Sequence, residues 1–135
     1  MQMRGPVRNR SPGALAPWQL RRAIRLLLAA TASGCSVASL ARACGLSASH
    51  FAHGFKAATG VPPHRWLLLH RLACARDMML AGTESLSSIA VSCGFSDQSH
   101  LTRVFRSEMG CSPAAWRRQQ RAGVSARELA DLSLE

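Results

Sequence analysis

Residues 85–116 read SLSSIAVSCGFSDQSHLTRVFRSEMGCSPAAW. Ser85 can cap a short helix over 86–93, whose apolar positions are Leu86, Ile89, Ala90 and Cys93. Gly94 follows, where a left-handed residue ends a helix, and Phe95 anchors the turn. Ser96 reads as the cap of a longer helix over 97–109, with Leu101, Val104, Phe105 and Met109 inward and Asp97 in the first turn, where the helix dipole favours an acid. Gly110 ends that helix. Ser112-Pro113 opens another, with proline at the tolerated first position and Trp116 turned back toward the core. A short helix, a tight glycine turn and a longer helix make a helix-turn-helix.

The same grammar occurs earlier. Residues 36–66, SVASLARACGLSASHFAHGFKAATGVPPHRW, align with 85–116 through a one-residue insertion. At an offset of 49, Ser36, Ala41, Cys44, Gly45 and Ser47 match Ser85, Ala90, Cys93, Gly94 and Ser96. At an offset of 50, His50, Phe55, Gly60, Pro63 and Trp66 match His100, Phe105, Gly110, Pro113 and Trp116. The extra residue falls where SASH becomes SDQSH, at the start of the longer helix. The first unit reads as a helix over 37–43, a turn at Gly45-Leu46, a capping Ser47 and a helix over 48–58.

Between the units, residues 62–82 carry Trp66, Leu67, Leu69, Leu72, Ala73, Met79 and Leu80 around much of a helix, as a linker packed by both units requires. Its 18 residues from Pro63 to Leu80 span about 27 Å at 1.5 Å each. One turn of B-DNA is about 34 Å, so such a linker suits two reading helices on successive major-groove segments. The expected organisation is a disordered basic arm over 1–16, a first subdomain over 17–61 opening with a helix to about Ala32, the linker over 62–82, a second subdomain over 83–121, and a flexible tail or short helix over 122–135. The fold class is all-α, with about seven helices.

Charge points to a polyanion. The 135 residues carry a formal net charge of +10, and sixteen of the seventeen basic side chains are Arg. No Asp or Glu occurs before residue 77, so a carboxylate partner for acid-base catalysis is missing near His50, His53, His64 and His70, and no enzymatic activity is expected. Five cysteines at 35, 44, 74, 93 and 111 include no C-x-x-C pair, which disfavours a disulfide framework or a zinc site; no metal and no cofactor are expected. Cys44 and Cys93 occupy the same place in both units, as packing positions would. LLLAATASGC at 26–35 imitates a lipoprotein signal, but Arg25 interrupts the apolar run, so neither secretion nor membrane insertion is expected.

The helix over 97–109 carries donors and amides where a solvated face would mix both signs of charge. Gln98, Ser99, Thr102 and Arg103 share the face opposite Leu101 and Phe105. Gln pairs with adenine and Arg with guanine through two hydrogen bonds each, and Thr offers a methyl or a hydroxyl, so these four are candidate base readers. Phosphate or water-mediated contact is the alternative for Ser99, and a solvated surface position is the alternative for Arg103. The corresponding face of the first unit is Ser49, Ala52 and His53. These side chains are short, with Ala52 suited to a thymine methyl and His53 to a base or a phosphate. Candidate phosphate contacts are His50, Lys56, His100, Arg106, Ser112, Arg117 and Arg118, with Arg4, Arg8 and Arg10 adding non-specific affinity.

The two units and linker resemble the DNA-binding domain of AraC/XylS-type bacterial transcription regulators over roughly residues 18–120. In SSIAVSCGFSDQSHLTRVFRSEMGCSPAAWRR, the positions that carry the resemblance are Ile89, Ala90, Gly94, Phe95, Ser99, Leu101, Arg103, Phe105, Gly110 and Pro113. Arg71 and Ala75 of RLACARDMML match the family's linker helix. The resemblance implies two major-groove readers acting at promoters. Many members also carry a larger effector domain, so this chain resembles the short stand-alone members or a piece of a longer one. It departs from the pattern with Trp66 and Trp116, where Tyr or Phe is usual, and with a first reading helix poor in long polar side chains. The expected function is a sequence-specific regulator binding double-stranded promoter DNA as a monomer, cytoplasmic and nucleoid-associated, with RNA polymerase a further candidate partner. The alternatives are a non-specific nucleic-acid-binding protein and an RNA-polymerase-interacting module.

Overall fold

The computed structural model describes residues 13–30 and 36–133, with side chains followed to residue 123. Seven helices occur among them: α1 (Pro17–Ala29), α2 (Val37–Ala43), α3 (Ala48–Thr59), α4 (Pro63–Ala81), α5 (Leu86–Ser92), α6 (Gln98–Met109) and α7 (Pro113–Ser133). They form two compact units, residues 1–69 and 70–135, whose boundary falls inside α4. The expected all-α fold with a long helix joining two helix-turn-helix units is what the chain adopts.

Local chemistry fixes each turn. Ser36 and Ser85 cap α2 and α5 by accepting from the backbone N–H of Ser39 and Ser88. Both short helices end alike. Gly45 and Gly94 take φ of 72° and 92°, and the next N–H bonds back across six residues, Leu46 to the Ala41 carbonyl and Phe95 to the Ala90 carbonyl, each at 2.9 Å. This Schellman turn buries Phe95 and half-buries Leu46, which seats the following helix on the core.

In the first unit the core comprises Leu15, Ala23, Leu27, Leu40, Ala41, Cys44, Phe51, Phe55 and Leu67. In the second, Leu72, Ala75, Met79, Ile89, Ala90, Cys93, Phe95, Leu101 and Phe105 are buried. Val104 and Met109, expected inward, are half-buried. The aromatic pairing also repeats: Trp66 stands edge-on to Phe55 at 6.3 Å, and Trp116 to Phe105 at 5.6 Å. Counting α1 against the second half of α4 at an offset of 52, Leu20, Ala23 and Leu27 correspond to Leu72, Ala75 and Met79. All six lie on inward faces, so the repeat includes the helix that precedes each helix-turn-helix.

The structure changes several expectations. Helix α6 is capped by Asp97, whose carboxylate accepts from the His100 N–H at 2.8 Å, and Ser96 lies in the turn. Asp97 therefore matches Ser47, the cap of α3, and the inserted residue lengthens the turn while the helix register is kept. The proposed arm also ends earlier. Leu15 is 3% exposed, and its N–H bonds to the Gly54 carbonyl at 3.2 Å. Gly54 makes this possible, because a Cβ there would approach Leu15 Cδ2 to 2.6 Å. The rest of the arm, and the end of the first helix near Ala32, lie outside the described residues. Where a flexible tail or a short helix was expected over 122–135, the segment is helical to Ser133 but continuous with α7, since no proline interrupts it.

Candidate nucleic-acid interface

Helix α6 follows the turn of the second unit with Leu101 and Phe105 fully buried, which forces the opposite stripe outward. Gln98, Ser99, Thr102 and Arg103 meet there, joined by Arg106, and the five side chains line an open hollow of about 480 Å³. Gln98, Ser99, Arg103 and Arg106 are exposed and Thr102 is half-buried. The lining offers guanidinium, amide and hydroxyl groups and no carboxylate. Arg106 had been placed with the phosphate contacts. The i, i+4 spacing of 98, 102 and 106 is the signal that would have added it to this face.

The turn ahead of α6 is braced from behind. His100 Nδ1 accepts from the Ser96 backbone N–H at 3.2 Å and stands 3.0 Å from the Ser96 hydroxyl, while its ring meets Phe95 edge-on at 5.3 Å. His100 thus positions the turn, a role its reading as a phosphate contact did not include. Arg71 lies against Gly94, where an added Cβ would come within 2.7 Å of its Nε.

Matched positions on α3 are Ser49, Ala52, His53 and Lys56, with Ala48 opposite Gln98 in register. Ser49, His50, His53 and Lys56 are exposed and Ala52 is half-buried. Phe51 and Phe55, with ring centroids 5.8 Å apart, hold this helix on its core as Leu101 and Phe105 hold α6. The scaffold is repeated, but the outward side chains are shorter.

Arg117 is engaged elsewhere. Its Nε donates to the Met79 carbonyl at 2.9 Å, Nη1 to the Glu84 backbone carbonyl at 2.9 Å and Nη2 to the Gly82 carbonyl at 2.7 Å. Arg121 donates to the same Gly82 carbonyl at 2.7 Å. Together they satisfy one carbonyl that the last turn of α4 leaves open, that of Met79, and two in the connection that follows it. Arg117 is therefore a clasp within the second unit, a role its reading as a phosphate contact did not include. Arg118 beside it is exposed. Ser112 is half-buried and caps α7, accepting from the Ala115 N–H at 3.1 Å.

The thiols at the ends of the short helices face protein groups. Cys44 Sγ lies 3.5 Å from the Gln19 carbonyl oxygen, and Cys93 Sγ lies 3.5 Å from Met78 Sδ. Burial raises the pKa of both; Arg22 partly opposes this at Cys44, and the negative potential of Cys74 and Glu84 adds to it at Cys93. Reactive thiolates need the opposite environment. Cys35 lies outside the described residues.

Two capped helix-turn-helix units, each presenting its second helix outward from a buried i, i+4 pair (Phe51 and Phe55 in one, Leu101 and Phe105 in the other), define the class: a double helix-turn-helix protein. A model of the helix-turn-helix domain matches residues 40–119, more than half of the chain. The chain belongs to the AraC-type helix-turn-helix family. It is 37% identical over 81 residues to the probable transcriptional regulator LumQ of Photobacterium leiognathi, covering 60% of this chain and 33% of that protein. It is 39% identical over 66 residues to the transcriptional activator RhaS of Escherichia fergusonii, covering 49% of this chain and 24% of that one. The chain thus spans a third or less of these curated relatives. Among solved structures it resembles the DNA-binding domain of AdpA in complex with a target DNA, with a TM-score of 0.67 and 30% identity over 77% of this chain and 94% of that one. An AraC-type regulator from Chromobacterium violaceum gives 0.62 and 28%, over 75% of this chain and 90% of that one.

Proposed function

We propose that this chain is a sequence-specific DNA-binding transcription regulator that reads base edges chiefly through α6. The observation that carries this reading is the α6 face: Gln98, Ser99, Thr102, Arg103 and Arg106 around one hollow, free of carboxylate, on the second helix of a helix-turn-helix. Bidentate Arg-guanine and Gln-adenine pairs require long, exposed side chains on a rigid element, and α6 supplies both. Helix α3 contributes shorter contacts through Ser49, Ala52 and His53. Phosphates are met by His50, Lys56 and Arg118, with the N–H groups at the start of α7 adding donors. Because one chain carries two reading helices, it acts as a monomer in the bacterial cytoplasm on double-stranded promoter DNA. The relatives' printed roles as regulators support this reading, and catalysis has no place in it.

Selection of bound duplexes from a random library tests the proposal. Enrichment of one motif is expected, and Arg103→Ala should cost roughly 1–3 kcal/mol on that motif while relaxing preference at one base pair. An unenriched pool would refute sequence-specific reading. Equal loss by Arg103→Ala on selected and scrambled DNA would remove Arg103 from the readers.

A further inference from the structure

The net charge of the chain belongs almost wholly to its first unit. Residues 1–69 hold nine basic and no acidic side chains, whereas residues 70–135 hold eight basic and seven acidic ones. The scaffold is duplicated and the charge is not. At the offset that superposes the inward faces of α1 and the second half of α4, Arg21, Arg22 and Arg25 correspond to Ala73, Cys74 and Asp77. Core packing therefore does not call for arginine at these three positions.

In the first unit the three arginines are all exposed on α1. Arg22 Nη1 donates to the Ala43 carbonyl at 3.2 Å, which sets this stripe beside the end of α2, where Arg42 is also exposed. One edge of the unit thus gathers four guanidinium groups, with no carboxylate anywhere in the unit to neutralise them. Arginine forks bind phosphate oxygens, and a phosphodiester backbone is a polyanion matched to such a row.

We propose that Arg21, Arg22, Arg25 and Arg42 form a phosphate-backbone anchor, so that the first unit supplies sequence-independent affinity while α6 supplies discrimination. This rests on the DNA-binding reading above and divides its labour. It accounts for the short side chains of α3: a unit that grips phosphate needs few long base readers.

The test is the salt dependence of binding by the whole chain, on the selected duplex and on a scrambled one. Arg22 is retained because it also holds Ala43. The variant Arg21→Gln/Arg25→Gln/Arg42→Gln removes three phosphate partners and should flatten the slope of log affinity against log salt by roughly 2.7. Across a fourfold rise in salt, that difference amounts to roughly 40-fold. Both duplexes should weaken equally, leaving their affinity ratio unchanged. The matching Arg→Lys set should keep the slope, which a purely structural role would not guarantee. Arg25→Gln alone should flatten it by about 0.9, so the test survives if the triple variant fails to fold. An unchanged slope in the folded Gln variants would overturn the anchor while leaving sequence-specific binding intact. A loss confined to the selected duplex would also overturn it. Absence of salt-dependent duplex binding by the unaltered chain would overturn the anchor and the function proposed above together.

Discussion

Gly54→Ala is expected to change sign with its background. Glycine inside a helix costs about 1 kcal/mol relative to alanine, so the substitution alone should stabilise α3 by that amount. The structure opposes the gain. The new Cβ would sit 2.6 Å from Leu15 Cδ2 and 3.2 Å from the Gly13 carbonyl oxygen, against ordinary carbon contacts of about 3.5–4.0 Å. Leu15 is 3% exposed, and fully burying a leucine is worth about 1.5–3 kcal/mol. Pushing it out would more than cancel the helix gain, for a net loss of about 0.5–2 kcal/mol. Leu15→Ala alone should cost about 2 kcal/mol, near the low end for such truncations, because the segment at Leu15 can settle onto α3. With Leu15 already shortened, Gly54→Ala should then stabilise by up to about 1 kcal/mol. Urea denaturation of the four proteins, followed by far-ultraviolet circular dichroism, closes this double-mutant cycle. A stabilising effect of similar size in both backgrounds would refute the proposed packing of Leu15 on Gly54.

Arg117→Ala should lower stability by about 1–3 kcal/mol through three lost charge-assisted hydrogen bonds, whereas Arg118→Ala should leave the melting temperature unchanged and weaken DNA binding; equal effects on stability would dismiss the clasp. Gly94→Ala combines a left-handed φ of 92° with a collision against Arg71, so a loss above about 1–2 kcal/mol is expected in thermal melts. Because burial raises the folded-state pKa of Cys44 and Cys93 above 9.0, the unfolded chain releases their protons first. Their contribution is whole below pH 9 and is lost as pH climbs through the raised values, so replacing both by Ala should flatten the alkaline fall in stability.

Much of the fold was legible because it is local and repeated. The serine caps, the Gly45 and Gly94 turns, and the apolar spacing of Leu101 and Phe105 are written within a few residues of where they act. So was most of the candidate interface, since 98, 99, 102 and 103 follow from helical periodicity once the buried face is known. What escaped depends on approach through space. Whether Ser96 or Asp97 caps α6 turns on which backbone is extended, and both types are good caps. That Gly54 receives Leu15 is invisible to periodicity, because the two are 39 residues apart. Arg117 looked like any arginine near a helix start. Its partners are carbonyls of another segment, and carbonyls belong to every residue type.

From cap to closing glycine α3 and α6 keep a constant offset of 50, Ser47 to Asp97 and Gly60 to Gly110, because the inserted residue was absorbed in the turn. Their outward faces are therefore interchangeable parts on a common chassis. Side chains at 48, 49, 52, 53 and 56 can be rewritten with those at 98, 99, 102, 103 and 106 without moving a buried aromatic. On the DNA-binding function proposed above, a chain built this way can revise what one half recognises while the other half keeps it on its target.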